Sequence, residues 1–167
     1  MGRSNCNNII INISKQTLSL YLKGRLIKKY PVSTSLKGVG NEENSEKTPV
    51  GRHRVVEKIG KDASKGMMFE NKVSLDKISE IYVRKPDNFI GDHIMTSRIL
   101  VLEGLEEGIN KGEGVDSFKR CVYIHGTPFE YDVSKPVSHG CVRMKNDDII
   151  ELFNLIDLLI EVDIKES

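Results

Sequence analysis

The chain has no tryptophan and few other aromatics, Phe and Tyr together making up 6% of its residues. That scarcity argues against a module that grips sugars or nucleobases by stacking. It also has no excess of one charge: 25 Lys and Arg stand against 24 Asp and Glu, for a net charge of +1. A dedicated nucleic-acid binder carries a clear basic surplus, so nucleic acid is not an expected partner. No apolar run approaches the roughly 18 residues needed to cross a bilayer, so no transmembrane segment is expected. Met1 to Cys6 contains no apolar stretch of the signal-peptide kind, and Cys6 stands where the Met-Gly myristoylation pattern needs Ser or Thr. Cysteine is scarce too: Cys6, Cys121 and Cys141 cannot all pair with one another, which excludes a small disulfide-stapled scaffold.

What is present suits one globular unit. The 167 residues are 38% hydrophobic and 29% charged, enough for a single sizeable core behind a solvated surface. Residues 1–7 read as a tail and 8–167 as one domain. Asn8 to Ile13 is a β-branched run, and Thr17 to Leu22 places Leu18, Leu20 and Leu22 on one face. Lys23-Gly24-Arg25 supplies a turn, and Leu26 to Ser33 completes a hairpin. Leu36 to Glu46 reads as an exposed loop ending at Thr48-Pro49-Val50-Gly51, and Arg52 to Ile59 as a further strand. Met67 to Arg84 is ambiguous between strand pieces and a short helix. Ser97 to Leu102 predicts a buried strand, followed by a glycine-rich loop from Gly104 to Asp116.

The last third is sharper. From Arg120 to His125 the alternation sends Val122 and Ile124 one way, and Cys121, Tyr123 and His125 the other. Asn146 is read as a capping side chain, with Asp147 and Asp148 in the first turn of a helix over 147–158. Ile149, Ile150, Leu152, Phe153, Ile156 and Leu159 form its apolar stripe, and Ile160 to Ile164 returns as a strand. The residues thus describe a mostly β fold with one C-terminal helix.

Chemistry concentrates around Cys141, which follows Gly140 in a segment where the backbone can turn tightly and present a sulfur. A thiol at its ordinary pKa of about 8.5 is only a few per cent thiolate at neutral pH, so it needs a base or a cation nearby. His139 is close in sequence, and His125, sixteen residues upstream at the end of its strand, can approach across the sheet. The two thiols and two imidazoles of Cys121, His125, His139 and Cys141 are also a structural zinc donor set.

His125-Gly126-Thr127 followed by Ser138-His139-Gly140-Cys141-Val142-Arg143-Met144 resembles the signature of the L,D-transpeptidase catalytic domain of bacterial peptidoglycan enzymes. The likeness extends to Tyr30-Pro31-Val32-Ser33-Thr34, to Thr48-Pro49-Val50-Gly51, to Thr96 through Asn110, and to the helix after Met144. It implies a catalytic domain over 8–167, with sandwich-like mixed β-sheets and one C-terminal helix. It implies Cys141 as nucleophile and His125 as general base, oriented in the family by a backbone carbonyl. It assigns the oxyanion-binding loop to His139 and Gly140, and substrate contacts to Arg143, Tyr123, Ser138 and Gly126. The implied reaction is acyl transfer on peptidoglycan stem peptides through a thioester, with release of D-Ala, needing no metal and no organic cofactor. Attack by water in place of an amine makes the same machinery an L,D-carboxypeptidase, and loss of chemistry makes it a cell-wall-binding module. The substrate implies a place in the cell envelope or periplasm.

Plainer roles stand beside these. Arg143 can pair with Asp147 or Asp148, Tyr123 can serve packing alone, and His139 suits a structural hydrogen bond. His53 and His93 read as surface or packing residues, Cys121 as a spectator and Cys6 as part of the tail. Two positions depart from the family pattern. Val133-Ser134 replaces an Ile-Gly pair, so a requirement for positive φ there forces Ser134 to reshape the loop. His53 stands where an aromatic is common.

Overall fold

Alternating apolar residues build the first strand, β1 (Asn8–Asn12), which buries Ile9 and Ile11. The computed structural model describes residues 6–87 and 93–167. β2 (Thr17–Leu22) and β3 (Arg25–Pro31) form the expected hairpin, joined by Lys23 and Gly24, both at positive φ as a two-residue type I′ turn requires. β4 (Gly51–Ile59) and β7 (Met95–Gly104) are the long central strands. Between them the ambiguous stretch is a second hairpin, β5 (Met67–Glu70) and β6 (Val73–Ile78), turned by Asn71 and Lys72 at φ 47° and 68°.

β8 (Tyr123–Gly126) is shorter than the 120–125 strand predicted from sequence. Arg120, Cys121 and Val122 donate their N–H groups to Asp116, Phe118 and Ser117, which ties the start of that stretch into a turn, with Cys121 at φ 57°. β9 (Val142–Met144), α1 (Asn146–Leu155) and β10 (Glu161–Lys165) complete the chain. The helix stops before 158. The N–H of Leu159 and the carbonyl of Ile160 pair with Val55 on β4, an extended arrangement that competes with further helical turns. Ile149, Leu152, Phe153 and Ile156 are buried as the stripe predicted, whereas Leu159 is exposed.

The fold is mainly β with one helix, as expected, and the ten strands among the described residues join in one hydrogen-bonded mixed sheet. Its order runs β3-β2-β1-β10-β4-β7-β8-β9, and the β5–β6 hairpin attaches to the start of β7. The β1–β10 and β8–β9 pairs are parallel. One face, together with α1, closes over the main core, which includes Ile9, Leu20, Leu102, Ile124, Met144 and Leu152. Across the sheet, Phe69, Ile99, Val101 and Tyr123 form a smaller cluster against which Cys141 packs.

Candidate active site

Strand register decides which side chains meet. β8 and β9 run parallel with Ile124 opposite Val142, His125 opposite Arg143 and Gly126 opposite Met144. Ile124, Val142 and Met144 point into the main core. Alternation therefore sends Tyr123, His125, Cys141 and Arg143 to the other face. There His125, Ser138, His139, Cys141 and Arg143 line one cleft of about 110 Å³, together with His93 and Met95.

Cys141 is half-buried. The Tyr123 N–H donates to its sulfur at 3.4 Å, and the thiol in turn reaches the Cys121 carbonyl at 3.4 Å. Burial pushes the Cys141 thiol up from its ordinary pKa, against the downward pulls of the Tyr123 N–H and the Arg143 and Arg120 charges. His125 is only 5% exposed. Its Nδ1 lies 2.7 Å from the Gly126 carbonyl, an acceptor only, so Nδ1 carries the proton and Nε2 keeps its lone pair. Burial lowers the ring to about 4, although the Gly126 carbonyl acts in the opposite direction. At neutral pH the cleft is therefore lined by a neutral thiol and a neutral imidazole.

The turn that presents Cys141 is held from three sides. Gly140 takes φ +127°, and a Cβ there would stand 3.2 Å from the Lys47 carbonyl, so both conformation and space call for glycine. Ser138 Oγ donates to the Cys141 carbonyl at 2.6 Å and accepts from the Gly140 N–H at 3.3 Å. Thr48 Oγ1 donates to the Gly140 carbonyl at 3.0 Å. Ser33 exchanges two backbone hydrogen bonds with Arg143, and the Thr34 carbonyl accepts from the N–H groups of Val137 and Ser138. Gln16 fixes Thr34 in turn, through 2.6 Å and 2.9 Å bonds. The segments around Ser33 and Thr48 are thus buttresses of the turn that carries Cys141.

Two residues expected to touch substrate lie behind the cleft rather than on its lining. Tyr123 is buried in the smaller cluster and meets the sulfur through its backbone N–H. Gly126 is buried, offers its carbonyl to His125, and has no room for a side chain, since a Cβ would stand 2.3 Å from the Thr96 carbonyl. Asn146 is not the helix cap: Lys145 holds that position, and the Asn146 side chain turns inward. Asp147 pairs with Lys65 at 2.9 Å. Ser134 takes positive φ, at 94°, and so bears a backbone strain that glycine would not.

The zinc reading fails on geometry. Cys121 is exposed, its thiol directed at the Lys119 carbonyl, and its contact with Cys141 is made through its backbone. Among the described residues no three His, Cys, Asp or Glu side chains gather to hold a metal. His53 is wholly buried, its Nε2 2.8 Å from Ser117 Oγ, so it is a packing residue and not a surface one. Sequence reasoning missed three contributors. His93 stacks on His139 at 4.5 Å, Met95 lines the cleft, and Arg120 donates to the carbonyls of Lys47 and Gly40 at 2.6 and 3.3 Å. None carries a local motif, because their partners are distant in sequence.

Residues 7–164 match the model of the L,D-transpeptidase catalytic domain (YkuD) family. The putative L,D-transpeptidase YqjB of Bacillus subtilis is 54% identical over 33 residues, which cover 20% of this chain and 19% of that protein. Among solved structures, the LD transpeptidase LdtMt1 in complex with imipenem superposes with a TM-score of 0.56 at 15% identity, over 96% of this chain and 59% of the other. L,D-transpeptidase 3 from Mycobacterium tuberculosis, in complex with a faropenem-derived adduct, gives 0.51 at 18% identity, over 96% of this chain and 60% of the other. The chain thus spans about three-fifths of the length of those solved structures, whose likeness is one of fold.

Proposed function

The chain belongs to the L,D-transpeptidase catalytic domain family, and from that premise we propose that it transfers acyl groups on peptidoglycan stem peptides through a thioester on Cys141. The observation that carries this reading is that Cys141 and His125 line one cleft, with His125 Nδ1 already committed to the Gly126 carbonyl. That commitment leaves Nε2 as the basic atom. As Sγ attacks the carbonyl between the diaminopimelate and D-Ala residues of a tetrapeptide stem, its proton passes to His125 Nε2. The tetrahedral oxyanion is met by backbone N–H groups of the 139–141 turn. Its collapse expels D-Ala, whose nitrogen takes the proton back, and leaves the acyl-enzyme. An amine of a second stem then gives its proton to His125 and displaces the sulfur, restoring the thiol. Water in the amine's place makes the product a tripeptide.

His125, buried and neutral, is suited to accept a proton at the moment of attack rather than to hold a preformed imidazolium. Arg143, buried beside it in the cleft, offers a positive charge to a stem carboxylate. Such a substrate puts the protein in the cell envelope. Incubation with disaccharide-tetrapeptides, followed by mass spectrometry, tests the proposal. A cross-linked dimer marks a transpeptidase and a tripeptide a carboxypeptidase, while unchanged substrate rejects both and favours a binding module.

A further inference from the structure

Asn146 spends its whole hydrogen-bonding capacity in a fully buried site at the back of the histidine strand. Its Oδ1 accepts from Thr96 Oγ1 and Ser97 Oγ, both at 2.6 Å. Its Nδ2 donates to the Thr127 carbonyl at 2.8 Å and to Glu130 Oε1 at 3.0 Å. Two donors and two acceptors are what a carboxamide possesses, and no other side chain of this size supplies both. Helix initiation does not need this network, because Glu130 already takes the Asn146 backbone N–H at 2.8 Å.

The network lies one peptide from the acceptor of His125. The Gly126 carbonyl that holds Nδ1 shares a peptide plane with the Thr127 N–H, which donates to Met144 at 3.1 Å. Asn146 anchors the next carbonyl, that of Thr127, and a Cβ on Gly126 would stand only 3.0 Å from Asn146 Oδ1. We propose that Asn146 is the positioning residue of the base: its carboxamide fixes the Gly126–Thr127 turn and so sets the tautomer and direction of the His125 ring. This rests on His125 being the base, as argued above.

The test is Asn146→Ala in the whole chain, read by ¹⁵N NMR of the histidine rings and by the pH dependence of acyl transfer on tetrapeptide. The parent is expected to show His125 as the Nδ1–H tautomer. The variant is expected to show a mixed tautomer, a displaced acid limb, and kcat lowered about 10–100-fold, the scale of a misplaced catalytic group, with little change in KM. A folded variant with the parent's tautomer and acid limb overturns the inference. Should Asn146→Ala not fold, Thr96→Val removes one Oδ1 contact at nearly constant volume and is held to the same readouts, its tautomer shift smaller in size. An unshifted tautomer in that variant overturns the inference equally. If instead His125→Ala keeps full activity, it is the assignment of the base that falls.

Discussion

At neutral pH the Cys141 sulfur keeps its proton, because burial opposes its charge more strongly than Tyr123, Arg143 and Arg120 favour it. Of the base or cation that such a thiol needs, burial makes His125 the former: the ring stays neutral until attack begins. Acyl transfer should therefore hold as pH falls through 6 and be lost only near pH 4, where His125 protonates; a kcat/KM profile checks this, and an acid limb near 6.5 contradicts it. His125→Ala should lower turnover about 10²–10⁴-fold, the usual share of acid–base catalysis, whereas His139→Ala should act far less, since its exposed ring stacks on His93. Ser134→Gly should stabilise the fold by about 0.5–1 kcal/mol, because relief of positive φ outweighs the added freedom of the unfolded chain; a urea midpoint unchanged or lowered denies the strain. That Cys141 and His125 share one cleft was legible because each sits in a contiguous motif. Asn146 and Arg120 were not, since their partners lie 50 and 73 residues away.

Among elements, the strands that alternate over five or more residues were legible, and so was the Lys23-Gly24 hairpin. β9 was not, because three residues carry too little periodicity, yet its parallel register with β8 decides which side chains share the cleft. The helix was placed correctly but drawn too long, because a stripe through Leu159 cannot reveal that Val55 claims the backbone there. The same stripe makes α1 a strong contributor to the core. Leu152 is fully buried, so Leu152→Ala should cost about 2–5 kcal/mol of unfolding free energy, measured by urea titration. A loss below about 1 kcal/mol would mean that the helix does not seal the main core.

For the molecule as a whole, burial of two neutral imidazoles links stability to acid. His53 and His125 both have pKa values lowered by burial, so below the ordinary histidine value of about 6.5 the unfolded chain binds more protons than the folded one. Stability should therefore be full above about pH 6.5 and decline on acidification, the His125 share continuing to about pH 4. Each histidine contributes a slope of up to about 1.4 kcal/mol per pH unit. Urea unfolding across that range measures it, and a flat profile contradicts the burial of these rings. The central claim is narrower: one sulfur of three carries the acyl group. Ordinary alkylation separates the thiols poorly, because Cys6 and Cys121 are exposed while Cys141 is half-buried. A β-lactam presents a strained acyl carbonyl to the cleft and discriminates better. Intact-mass analysis after imipenem treatment, with peptide mapping, should show one adduct on Cys141 in the parent and in Cys121→Ser, and none in Cys141→Ser. An adduct on Cys121, or one that survives in Cys141→Ser, contradicts the account.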